Sequence, residues 1–146
     1  MAVGSHWLCL MRELFVDTSA WYPLVVQSHP DHERLSEALR SRVHRRDRVV
    51  TSNLVVAESH ALVMRRAGID AGFCFLQLVR ASPNVVVTSS AALEARAVND
   101  WLLRYTDQPF SMVDAVSFAI MAERGTRSAL TLDRHFMVAG FEMVSG

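Results

Sequence analysis

Leu14-Phe15-Val16-Asp17-Thr18-Ser19-Ala20 is an apolar run that meets a carboxylate and passes at once into residues that cap helices. The apolar part reads as a buried strand ending at Asp17. Thr18-Ser19 then opens a short helix through Ala20 and Trp21, before Pro23 and the His29-Pro30 turn. Working outward, a helix is expected from Asp31 to about Arg46, with Leu35, Ala38, Leu39 and Val43 on one face. A second strand follows at Val49-Val50-Thr51. The next helix runs from Ser52 or Asn53 to Arg66, with Gly68 just past its end, and another from Asp70 to Arg80 is stopped by Ser82-Pro83. Val85-Val86-Val87 is a third strand, and Ser89 or Ser90 caps a helix to about Tyr105. Ser111 opens a helix that is apolar nearly all round through Met121 and ends at Gly125, with Asp114 at the capping-box position. Ala129 to Leu132 reads as a fourth strand stopping at Asp133, and Phe141 to Val144 as a weaker fifth. Short β-branched strands separated by helices predict an α/β fold of three layers, α/β/α, around a mainly parallel sheet.

Composition limits what such a fold can be. The 146 residues suit one domain, 51% are hydrophobic and 21% charged, which excludes a disordered polar chain. The longest uninterrupted apolar stretch, Ala20 to Val26, is too short for a membrane span and contains Pro23. Fifteen basic residues balance fifteen acidic ones, so any contact with nucleic acid must be local. Every basic residue is arginine, and the absence of lysine removes phosphate-loop and Schiff-base chemistry. Cys9 and Cys74 fit a reducing compartment and ordinary packing better than a disulfide framework. Nothing in residues 1–10 reads as a secretory signal; they are set aside as an extension or expression remnant, and residues 11–146 are read as a single domain.

Four carboxylates stand in unusual settings. Asp17 and Asp133 each follow an apolar strand segment, where open parallel sheets bind ligands. Glu58 has Leu54 and Val55 one turn before it and Ala61 and Leu62 one turn after, which places it in the apolar stripe of its helix. Asp114 begins a helix with almost no solvent face. Each acid alone admits a plainer account: a helix cap for Asp17, a capping box for Asp114, an arginine partner for Glu58, a turn for Asp133. Together, with no lysine to neutralise them, they point to a shared divalent cation. Oxygen ligands suit Mg²⁺ or Mn²⁺, ions that support phosphodiester hydrolysis.

The motifs Asp17-Thr18-Ser19-Ala20, Thr51-Ser52-Asn53-Leu54-Val55-Val56-Ala57-Glu58, Ser111-Met112-Val113-Asp114-Ala115 and Thr131-Leu132-Asp133-Arg134-His135-Phe136 resemble, in order, those of PIN-domain ribonucleases. They look especially like the VapC toxins of bacterial toxin–antitoxin pairs, and the resemblance spans about residues 13–144. It implies that Asp17, Glu58, Asp114 and Asp133 are the metal-binding and catalytic acids. Asp17 and Asp114 would be principal ligands, Glu58 a ligand or an orienter of the attacking water, and Asp133 a ligand to a second or weaker site. It further implies Mg²⁺- or Mn²⁺-dependent endonucleolytic cleavage of RNA leaving a 5′-phosphate, in the cytoplasm. The partners implied are a cognate antitoxin in the active-site groove and a second copy in a homodimer.

Beside the acids, Thr18 or Ser19 and Thr131 are candidates for hydrogen bonds to the carboxylates, backbone capping being the alternative for Ser19. Arg134 and His135 are placed to meet substrate phosphate. Arg40, Arg42, Arg45, Arg46 and Arg48 form the densest basic stretch, either a grip on phosphate or a solvated helix end. Trp21, Tyr22, Trp101 and Tyr105 are expected in core or dimer contacts, and a self-association surface is sought on the early helices. Two other readings compete. A phosphatase with Asp17 as nucleophile would need an acid two positions on, where Ser19 stands, and a lysine for phosphate. A catalytically silent fold that only binds RNA or protein would be favoured by loss of one acid, and all four are present.

Overall fold

In the computed structural model, which describes residues 12–146, five short strands form one sheet. β1 (Glu13–Val16), β2 (Arg48–Ser52), β3 (Val85–Val87), β4 (Ser128–Leu130) and β5 (Glu142–Val144) are all parallel, in the order β3-β2-β1-β4-β5. Leu14, Phe15 and Val16 are fully buried, as are Val50, Ala129 and Leu130. That burial explains the runs without alternation, because a central parallel strand is covered on both faces.

Among the described residues, seven α-helices cover the sheet: α1 (Thr18–Val25), α2 (His32–His44), α3 (Asn53–Ala67), α4 (Ile69–Arg80), α5 (Ala91–Ala97), α6 (Met112–Arg124) and α7 (His135–Val138). α1 packs on α2 and α3, and α3 on α4, while α5 packs on α6 and α6 on α7. The chain steps from β1 outward to β2 and β3, then returns to place β4 on the other side of β1. With right-handed crossovers, that reversal puts the two helix groups on opposite faces, giving the three layers expected. It also leaves a crevice at the carboxyl ends of β1 and β4, the switch point of the sheet.

The core is aromatic near that crevice. Phe15 meets Phe136 at 6.2 Å between centroids, Phe136 meets Phe118 edge-on at 5.0 Å, and Phe118 meets Phe110 edge-on at 5.1 Å. Seven consecutive residues of α6, Ala115 to Met121, are buried, so its sequence has no polar face to show. Trp21 is likewise buried, with its edge against Phe75.

Some expected boundaries shift. α1 runs through Pro23 to Val25 instead of stopping before it. The helix expected to reach Tyr105 is α-helical only to Ala97 and then widens into a π turn over Val98–Leu102. α2 stops at His44, and Arg46 turns the chain with φ 67°, the left-handed region that non-glycine residues seldom enter. Cys74 is exposed on α4, not packed as expected. The putting-aside of residues 1–10 and the reading of Cys9 lie outside the described residues.

Candidate active site

Asp17 sits at the exit of β1, where its carboxylate caps α1 by accepting from the Ser19 amide at 3.4 Å. The residue is buried, 5% exposed. Two hydroxyl groups serve it. Ser19 Oγ donates to Asp17 Oδ2 at 2.9 Å and Thr131 Oγ1 to the same oxygen at 3.1 Å. The hydroxyl oxygens in turn accept amide protons, Ser19 Oγ from Leu132 and Thr131 Oγ1 from Asp133, both at 2.9 Å. The two hydroxyls also lie 3.1 Å from each other, and this network stitches the segment after β4 to the start of α1. Both expected supports, Ser19 and Thr131, are therefore hydrogen-bonded to the acid, and Ser19 combines that with capping.

Asp114 enters from α6. Ser111 accepts the Asp114 amide at 3.0 Å and Asp114 Oδ2 accepts the Ser111 amide at 3.1 Å, the reciprocal capping box read from the sequence. Asp133, in the turn after β4, accepts the His135 amide on Oδ1 at 2.9 Å. His135 Nδ1 lies 3.3 Å from Asp114 Oδ2 and 3.4 Å from Asp133 Oδ1, and Phe110 packs edge-on against its ring at 5.2 Å. Asp114, Asp133 and His135 can each present one ligand atom with all three atoms within 4.8 Å of one another. Arg134, beside them, is exposed.

Electrostatics mark Asp17 as the strained member. Burial pushes its carboxyl up to about 6, and the neighbouring charge of Asp114 adds to this, while hydrogen bonds from Ser19, Thr18 and Thr131 pull it down. Asp17 Oδ1, Asp114 Oδ1 and Asp133 Oδ2 take no side-chain hydrogen bond from any described residue, so each acid keeps one oxygen open to another partner. This donor set, hard carboxylate oxygens with one imidazole, fits a small divalent cation.

Glu58 departs from expectation. It is exposed on α3, where the buried stripe passes through Val55, Val56, Ser59 and Val63. One residue on a helix is a 100° turn, and Glu58 stands that far from Ser59, on the solvent flank. It forms no ion pair or hydrogen bond among the described residues, and the group of three that can share an ion does not include it. His135, expected as a substrate contact, also lies within reach of Asp114 and Asp133, and its place two residues after Asp133 was the available signal.

A PIN domain model matches residues 14–142. The chain belongs to the PIN-domain family. "23S rRNA-specific endonuclease VapC20" of Mycobacterium tuberculosis is 34% identical to this PIN domain over 128 residues, covering 88% of this chain and 95% of that one. "Ribonuclease VapC26" of the same organism is 33% identical over 124 residues, covering 84% of this chain and 89% of its own. Among solved structures, M. tuberculosis VapC20, described as a sarcin-ricin loop cleaving toxin, superposes with a TM-score of 0.84 at 33% identity over 92% of this chain and all of that one. FitAcB from Neisseria gonorrhoeae shares the fold with a TM-score of 0.64 at 17% identity, covering 90% and 96%. Among the described residues, no helix of this PIN domain is long and apolar enough to cross a membrane.

Proposed function

We propose that this PIN domain is a Mg²⁺- or Mn²⁺-dependent endoribonuclease, the toxin of a toxin–antitoxin pair acting in the cytoplasm. The observation that carries the reading is the switch-point crevice, where three carboxylates from separate segments each keep one oxygen without a side-chain hydrogen bond. A buried acid in that state is costly unless a cation completes it. The relatives named as ribonucleases supply the substrate class.

Asp17 and Asp114 are assigned as principal ligands and Asp133 as a further one. His135 Nδ1 is near enough to join them or to hold Asp114 and Asp133 in place. A divalent cation bound there supplies positive charge at the scissile phosphate and activates water at neutral pH. Ser19 and Thr131 fix the orientation of Asp17, so its free oxygen points the same way before and after substrate arrives. Glu58, reachable by solvent, orients the attacking water. Water oxygen bonds to phosphorus as the bond from phosphorus to the 3′ oxygen breaks, leaving a 3′-hydroxyl and a 5′-phosphate. Arg134, exposed beside the acids, and His135 receive the non-reacting phosphate oxygens.

A cognate antitoxin is assigned to the same groove. Ile69 and Phe73, 65% and 60% exposed on α4, support a homodimer with α4 at its centre. The decisive experiment is sequencing of RNA ends produced by purified protein with and without Mn²⁺, beside Asp17→Asn and Asp114→Asn. New 5′-phosphate ends are expected only from the unaltered protein with metal. Equal cleavage by both variants would discard the mechanism, and no metal-dependent cleavage by the unaltered protein would favour a fold that binds without cutting.

A further inference from the structure

At the opposite edge of the sheet, where the strands begin, lies a cleft of about 520 Å³ lined by Arg12, Arg42, Arg45, Arg124 and Arg127. A chain with no formal net charge thus gathers five of its fifteen arginines around one opening. Internal pairing explains only some of them. Arg124 is held by Glu13 at 2.7 Å, Arg42 by Asp47 at 2.6 Å, and Arg12 lies 3.4 Å from that same Asp47. Against its burial, hydrogen bonds from Arg124 and Thr126 and the charges of Arg124 and Arg48 hold the Glu13 carboxyl below its usual range, so the Glu13 pairs stay ionised. Arg45 and Arg127 are exposed and pair with no described carboxylate. Counting Glu13, Asp47 and Glu142, three acids face five guanidinium groups and a positive excess remains.

Helix dipoles do not account for the arrangement. Arg42 and Arg124 lie in the last turns of α2 and α6, and Arg45 follows α2, where cations suit the carbonyl end. Arg12 and Arg127 lie in no helix. Guanidinium groups grouped around an opening are the usual receptor for phosphate oxygens. The positive surface also continues past the rim, since Arg46, next to Arg45, is exposed. A polyanion that engages several phosphates uses such a continuation, and a lone phosphate does not.

We infer that this cleft is a second contact site for the RNA backbone, remote from the catalytic acids. β1 alone separates the two edges, four residue steps or about 13 Å from Glu13 to Asp17. A folded RNA can therefore be cut at one edge while an adjoining stretch of its backbone is held at the other. The inference rests on the ribonuclease reading and names how that activity grips a long substrate.

The test is fluorescence anisotropy without divalent cation, using a labelled RNA hairpin and a labelled tetranucleotide, on the unaltered protein and on Arg45→Ser/Arg127→Ser. Hairpin affinity is expected to fall at least tenfold in the variant, and the slope of log K against log salt to shrink by about 1.4, that of two lost contacts to single-stranded RNA. Tetranucleotide affinity is expected to be the same in both proteins. Arg45→Lys/Arg127→Lys should keep most of the slope, and melting curves verify that both variants fold. Unchanged hairpin affinity and slope overturns the inference. So does loss of inorganic pyrophosphate binding with hairpin binding intact, which makes the cleft a receptor for free phosphates. Hairpin cleavage by the unaltered protein with Mn²⁺ tests the nuclease reading separately, so the two failures are distinguishable.

Discussion

Asp17 holds a proton more tightly in the folded protein than in the unfolded chain, because burial raises it from 3.8 to about 6. Between those values the native state binds the extra proton, so stability falls as pH rises through the window. Above it the charged carboxylate costs about 3 kcal/mol, the free-energy equivalent of that shift. Without metal, Asp17→Asn is therefore expected to melt several degrees above the unaltered protein at pH 8, and to lose that advantage near pH 4. Calorimetry across pH checks this, and equal melting temperatures at pH 8 contradict it. The same variant should cut no RNA. Thr131→Val removes one of the two hydroxyl donors to Asp17, and metal affinity measured by calorimetric titration should drop about 10–100-fold. The places of Asp17, Asp114 and Asp133 were legible because each follows a strand or opens a helix, positions that the sequence marks locally. Glu58 misled because an apolar stripe read from spacing is uncertain by one residue, and one residue is the difference between the core side of α3 and its solvent flank.

Helix α6 shows how local signals serve a distant site. Its capping box both starts the helix and fixes the Asp114 carboxylate, and Gly125 ends it in the left-handed region at φ 70°. Ser111→Ala should cost about 1 kcal/mol, lowering the melting temperature by roughly 2–4 °C. Gly125→Ala should cost a similar amount through backbone strain alone, since open space surrounds the position. Caps and C-terminal glycines are readable from sequence because the residues that bond are neighbours in the chain. The π turn after α5 is not, because nothing in Val98–Leu102 forbids an ordinary turn; Trp101 and Leu102 pack on the core there, and that tertiary demand lies outside the local sequence. The short strands were legible by their β-branched runs; β3 matches its expected bounds, while the end expected at Leu132 falls at Leu130, because bonding to a neighbour sets the boundary.

Across the whole molecule, the adjacency of β1 and β4 creates the site, and spacing could offer it only as a condition. The ion pairs between Glu13 and Arg124, 111 positions apart, were illegible for the same reason: nothing near either residue announces the other. Adding Mn²⁺ at a hundredfold over its dissociation constant should stabilise the fold by about 2.7 kcal/mol, and Asp114→Asn/Asp133→Asn should abolish the gain. A melting temperature indifferent to Mn²⁺ in the unaltered protein would argue against a preformed ion site. One more property follows from Trp21, whose indole N–H donates to the Val16 carbonyl at 3.1 Å, immediately before Asp17. That hydrogen bond ties a fluorophore to the peptide carrying the first acid. With Trp7 and Trp101 replaced by phenylalanine, the emission of Trp21 becomes an internal gauge of events at the crevice, readable in real time without any attached dye.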